Sequence, residues 1–136
     1  MGGPMGSGKQ YFPWVYLVDL VRLFAHILEN DTFTGVYNGV APAKTRNEQF
    51  ARAYGDAMRR PALFRTPEFA LALSLGSYRA RLACTGQCVH PKRALECGFQ
   101  FKCTSVEEAC LNVVKYYHRR ADTKEIDGDP YMGQFE

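Results

Sequence analysis

The sequence predicts an α/β fold, mostly helical, with two to four short strands. Short aromatic and β-branched runs alternate with helical segments along the chain. The helical segments carry their own start and stop signals: two S/T-x-x-E capping boxes, prolines at first positions and glycines just past the ends. The chain's 136 residues, 46% of them hydrophobic, suit one domain with a modest core.

"YFPWVYL" is short, aromatic and β-branched and reads as a strand, with Pro13 at its start or on an edge. Asp19 then caps a helix whose Leu20, Phe24, Ile27 and Leu28 share one face at helical spacing. "NDTFTG" is a turn, and "VYNGVA" is a second strand closed by Pro42. Thr45 and Glu48 form a capping box for a helix with a buried stripe of Phe50, Tyr54, Ala57 and Met58, ended by Pro61. "ALF" is a short extended piece. Thr66 and Pro67 open the next helix as N-cap and first position, and it runs to Gly76. "SYRARLAC" is a further helix, "PKRALECG" a short one between Pro and Gly, and "FQF" a brief strand. Ser105-x-x-Glu108 caps "VEEACLNVVKYYHRR", and residues 121–136 read as a flexible acidic tail.

Composition excludes several classes. No apolar run reaches the length of a membrane span, and the N-terminus carries no basic segment followed by an apolar core, so an intracellular protein is expected. The net charge of +3 divides into −4 over residues 121–136 (one Lys, five acids) and +7 over the rest (16 basic, 9 acidic). The basic residues are scattered in runs of no more than two, so they read as a solvated surface, with no nucleic-acid partner and no membrane. The five cysteines are odd in number and read as reduced thiols. Cys84, Cys88, His90 and Cys97 offer soft donors for zinc, but lack a C-x-x-C knuckle, and no metal site is assigned.

"GPMGSGKQ", residues 3–10, nearly fits the phosphate-loop pattern G-x-x-x-x-G-K-[ST]. Gln10 stands where magnesium needs a hydroxyl, no strand precedes Gly3, and Pro13 opposes the helix that should follow. The segment reads as a glycine-rich loop. Strands separated by helices imply parallel pairing, and parallel sheets seldom stand as two isolated strands. The chain therefore reads as one side of a larger α/β protein.

The motifs "SGKQYFPWVYLVDL", "GVYNGVAP", "NEQFA", "RRPALFRTPEF" and "GQCVHPKRALECGFQF" resemble, in order, the C-terminal part of epimerase-family proteins of the extended short-chain dehydrogenase/reductase superfamily. The second half resembles the domain of unknown function, DUF1731, that marks this group. The resemblance covers about residues 2–114 and implies the substrate-side portion of a Rossmann-type protein whose N-terminal Rossmann half is absent here. It divides the chain into the end of the epimerase-like region (1–60), the DUF1731-like domain (61–120) and the tail (121–136). For the full-length family it implies NAD(P) and a small-molecule substrate. The family's G-x-x-G-x-x-G fingerprint is missing, and none of the eight tyrosines has a lysine four residues later, so the superfamily's Tyr-x-x-x-Lys pair is missing too. No catalytic residue is assigned, and this chain alone is expected to bind no cofactor.

The resemblance places Gln10, Tyr11, Trp14 and Tyr16 on the substrate-side strand, with Asn38 as a further candidate for a substrate hydroxyl. Tyr16 stands where the family usually has His, and Cys88 replaces a usual basic residue. For Trp14 the competing reading is core packing, and for Asn38 a turn or edge role. Asp19 reads as a helix cap, and Lys92 and Arg93 as a solvated first turn. The expected function is a truncated NAD(P)-dependent epimerase- or oxidoreductase-like protein, inactive alone. The alternative is an interaction module that docks, or associates with itself, by an exposed strand edge.

Overall fold

The computed structural model describes residues 3–31 and 33–122, with the side chains of 119–122 left aside. Six helices follow one another: α1 (Leu17–Glu29), α2 (Asn47–Ala57), α3 (Glu68–Leu75), α4 (Ser77–Cys84), α5 (Lys92–Glu96) and α6 (Val106–Asp122). α2 packs on α6, and α3 on α4. The main core joins Trp14, Tyr16 and Val18 to Ala53 of α2 and to Cys103, Val106, Ala109 and Cys110 at the start of α6. A smaller core of Leu23, Ala94 and Phe99 seats α5 against α1. The mostly helical character agrees with the sequence. The expectation of a tail over 121–136 lies, from residue 123 on, outside the described residues.

The strands differ from expectation. Among the described residues only two isolated bridges form, Met5 with Thr66 (parallel) and Tyr11 with Arg46 (antiparallel). The stretch read as strand "YFPWVYL" is extended through Tyr16, then turns helical at Leu17. Its backbone bonds go to the approach to α2: Asn47 N–H donates to Gln10 O at 2.9 Å, Phe12 N–H to Thr45 O at 2.8 Å, and Ala41 N–H to Trp14 O at 2.7 Å. That run is antiparallel and too short for a ladder. Pro13 removes one donor from the extended stretch, and Val36 to Val40 is turned back by a bond from Val40 N–H to Asn38 O. The parallel pairing expected of these segments, and the strand edge expected to dock a partner, are therefore not formed among the described residues.

Helix starts were placed to within one residue except for α1, which begins three residues early, and several side chains do other work. Asp19 lies inside α1, fully buried, and is not its cap. Thr45 is buried too. Its Oγ1 accepts the indole N–H of Trp14 at 2.8 Å, and the turn into α2 is closed by Gln49, whose Oε1 accepts Arg46 N–H at 2.8 Å. α3 begins one residue later than expected, because Thr66 spends both backbone groups on the N-terminal loop: its N–H donates to Pro4 O and its carbonyl accepts Gly6 N–H. At α6, Ser105 Oγ accepts Glu108 N–H at 3.5 Å as expected, but its hydroxyl donates to Glu107 and not Glu108. That hydrogen bond holds the Glu107 carboxyl below its ordinary pKa.

Candidate functional site

Residues 3–10 form a loop whose amides are largely consumed. Met5 N–H donates to the buried Asn47 Oδ1 at 2.8 Å, Gly6 N–H to Thr66 O at 2.8 Å, Gly8 N–H to Met5 O at 3.0 Å and Lys9 N–H to Ser7 Oγ at 3.3 Å. A phosphate loop needs these donors free and converging on an anion. Gly6 and Gly8 have φ of 54° and 69°, which explains the glycines by loop geometry alone. The residues present here do not fit the pyrophosphate of a dinucleotide.

The five candidate residues follow this loop. Gln10 sits below it and donates from Nε2 to Met5 O at 2.9 Å and Ala83 O at 3.3 Å, tying the loop to the end of α4. The Tyr11 ring lies 4.8 Å under the Arg46 guanidinium. Arg46 in turn donates to Lys9 O. Trp14 and Tyr16 alternate with Pro13 and Val15 and point into the main core. Asn38 is exposed and donates from Nδ2 to His90 O at 3.2 Å. The structure thus uses Gln10 to hold the loop, sets Tyr11 against Arg46, buries Trp14 and Tyr16 in the main core and bonds Asn38 to His90.

Asp19, read from the sequence as a helix cap, has a different role. It is 0% exposed, and its carboxylate accepts Lys102 N–H on Oδ1 at 2.8 Å and Cys103 N–H on Oδ2 at 2.9 Å. Arg22 Nη1 completes the shell at 3.1 Å, and also donates to Gln100 O. The acid ties α1 to the turn before α6. Its only local signal was Arg22 three residues on, and the two amides it serves lie 83 and 84 residues away. Arg93, read as solvated, is likewise a clamp: it donates to Val36 O at 3.1 Å and Thr34 O at 2.7 Å and stacks over Tyr37. The Tyr37 phenol meets Cys97 Sγ at 3.6 Å, and that hydrogen bond raises its pKa above the ordinary value.

The anchoring of Asp19 rotates α1, and this corrects the expected buried face. Val18, Asp19 and Leu23 face inward. Phe24 and Leu28, expected inside, are 60% and 84% exposed, and with Leu17 and Val21 they form an apolar stripe at helical spacing along the outer face. Val36 is exposed as well. Among the described residues no three His, Cys, Asp or Glu side chains gather into a metal-binding set, and no helix is long and apolar enough to cross a membrane.

Comparison with known proteins places this geometry. Residues 66–113 match the family described as "Domain of unknown function (DUF1731)". The epimerase family protein SDR39U1 of Bos taurus is 41% identical over 84% of this chain and 39% of its own length. A homologue from Arabidopsis thaliana, described as chloroplastic, is 42% identical over 84% of this chain and 33% of its own length. The crystal structure of human SDR39U1 (isoform 2) with NADPH superposes with a TM-score of 0.80 at 37% identity, over 84% of this chain and 39% of that one. The chain spans about two fifths of the length of the animal relatives it matches.

Proposed function

Because this chain corresponds to the C-terminal part of epimerase-family proteins of the extended short-chain dehydrogenase/reductase superfamily, we propose that it supplies the substrate-side region of an NAD(P)-dependent epimerase- or oxidoreductase-like protein and is inactive alone. In this reading residues 1–60 end the epimerase-like region and residues 61–120 form the DUF1731-like domain. Gln10 and Tyr11 face the small-molecule substrate, Trp14 and Tyr16 hold that surface from beneath, and Asn38 acts at a second edge. NAD(P) is held by a Rossmann half and not by these residues. The protein works inside the cell, in the cytoplasm or an organelle.

The observation that carries this reading is the outer stripe of α1. Leu17, Phe24 and Leu28 are 54%, 60% and 84% exposed on one helix, a face that calls for a covering element. The same stripe supports the second reading, an interaction surface, with the docking element now a helix face in place of the expected strand edge. Calorimetric titration of the chain with NADPH tests the first reading, and no heat of binding is expected; a micromolar site would overturn it. Light scattering over a concentration series addresses the stripe. Association is expected, and Phe24→Glu with Leu28→Glu should reduce it, since each Å² of apolar surface buried contributes roughly 25 cal/mol. A wild-type monomer at every concentration would remove the support that the stripe gives.

A further inference from the structure

The stripe expected to be buried on α2 is buried only in part: Phe50 and Ala57 pack against the main core, while Phe50, Tyr54 and Met58 also line an open cleft. Phe50, Tyr54 and Met58 form one wall, Phe12 the floor, and the N-terminal loop leans over at Met5. The cleft has a volume of about 370 Å³, within the range of small-molecule sites. Its aromatic rings adjoin: Phe12 and Phe50 lie 4.5 Å apart, tilted by 41°, and Phe50 and Tyr54 are parallel to within 3° at 6.3 Å. The parallel faces of Phe50 and Tyr54, with Met5 and Met58 also lining the cleft, suit a planar apolar body. The polar groups at the cleft are few. Asn47 is engaged with Met5 N–H, while Arg60 stands at the rim with no carboxylate against its guanidinium among the described residues. The Arg60 backbone is fixed, because its N–H donates to Gly55 O at 2.8 Å at the end of α2. Gly55 is what lets the chain return so closely: a Cβ there would meet Arg60 O at 2.8 Å and the Ala62 side chain at 3.0 Å.

We infer that this cleft binds a small aromatic carboxylate, its ring system against Phe50 and Tyr54 with Phe12 tilted beside it, and its carboxylate at Arg60. None of Gln10, Tyr11, Trp14, Tyr16 and Asn38 lines this cleft. An unpaired arginine beside an otherwise apolar wall favours an anion over a neutral ligand of the same shape, since a charge-assisted bond is about twice as strong as a neutral one.

The test is calorimetric titration of the full chain with 2-naphthoate and, separately, 2-naphthylmethanol. The carboxylate is expected to bind at one saturable site, about tenfold tighter than the alcohol. Arg60→Gln should reduce the carboxylate to the alcohol's affinity and leave the alcohol unchanged. Ala51→Trp, which fills the cleft, should abolish binding of both, and Ala51→Leu should weaken both with the thermal unfolding transition retained. Absence of saturable binding to the wild type at millimolar ligand, equal affinity for the two probes, or undiminished binding in both Ala51 variants would each overturn the assignment.

Discussion

Replacing Asp19 with Ala should be among the most damaging single changes in this chain. The carboxylate is fully buried and accepts two backbone N–H groups, at 2.8 and 2.9 Å, from the turn that precedes α6. Alanine leaves both donors without their acceptor. The donor on Cys103 is enclosed, that residue being 2% exposed, whereas Lys102 is exposed and its N–H can be recovered by water. A hydrogen bond to a charged group contributes roughly 1.5–3 kcal/mol, so one full loss and one partial loss come to about 3 kcal/mol. The Arg22 pair adds little, because Arg22 reaches solvent and keeps its bond to Gln100 O. Asp19→Asn keeps one acceptor and should lose about half as much. Urea unfolding followed by the fluorescence of Trp14, the only tryptophan, reports the same core directly. With a slope of roughly 2 kcal/mol per molar, the alanine midpoint should fall by about 1.5 M. A loss below about 1 kcal/mol with an unchanged slope would refute the view that Asp19 holds α1 to the base of α6.

Three further outcomes follow from the packing. Gly86→Ala should destabilise the fold by forcing segment 86 off segment 11, because a Cβ there would lie 2.0 Å from Tyr11 O; a melting temperature equal to wild type would contradict the close approach. Burial pushes the Cys103 thiol up to about 12 and the Cys110 thiol up to about 11. Both pKa values exceed that of an unfolded thiol, about 8.5, so the folded state holds these protons longer. Their contribution to stability is complete below that value and is lost as the pH rises through 11 and 12. Urea titrations across that window should show the decline, and a Cys103→Ala, Cys110→Ala double variant should show less of it. At pH 8 a thiol reagent should label the exposed Cys88 and Cys97 rapidly and reach Cys103 and Cys110 only on unfolding; equal rates at all four would contradict their enclosure.

The sequence by itself determined the helices, their order and the family. Pro67, Gly76, Pro91 and Gly98 bracket helices through constraints that act within a few residues, so they are legible without knowing the fold. The ordered motifs of residues 2–114 identify the relatives for the same reason: the match is in the residues themselves. What each helix faces was decided only by the tertiary structure. The apolar positions of α1 fall on more than one side, and the choice between Leu23 and Phe24 as the inward residue is made by Asp19, through two amides more than 80 residues distant. Thr45 looked like a cap until Trp14 claimed its hydroxyl, and of the α2 stripe Phe50 and Ala57 meet the core while Tyr54 is left exposed at a cleft beside the return of the chain at Gly55. The runs read as strands failed for a related reason. A strand needs neighbours whose backbone groups align with its own, and β propensity records only that a segment is suited to such a neighbour. Local chemistry is written in the chain; the partner of a buried acid, an indole or an extended segment is set by the path the whole chain takes.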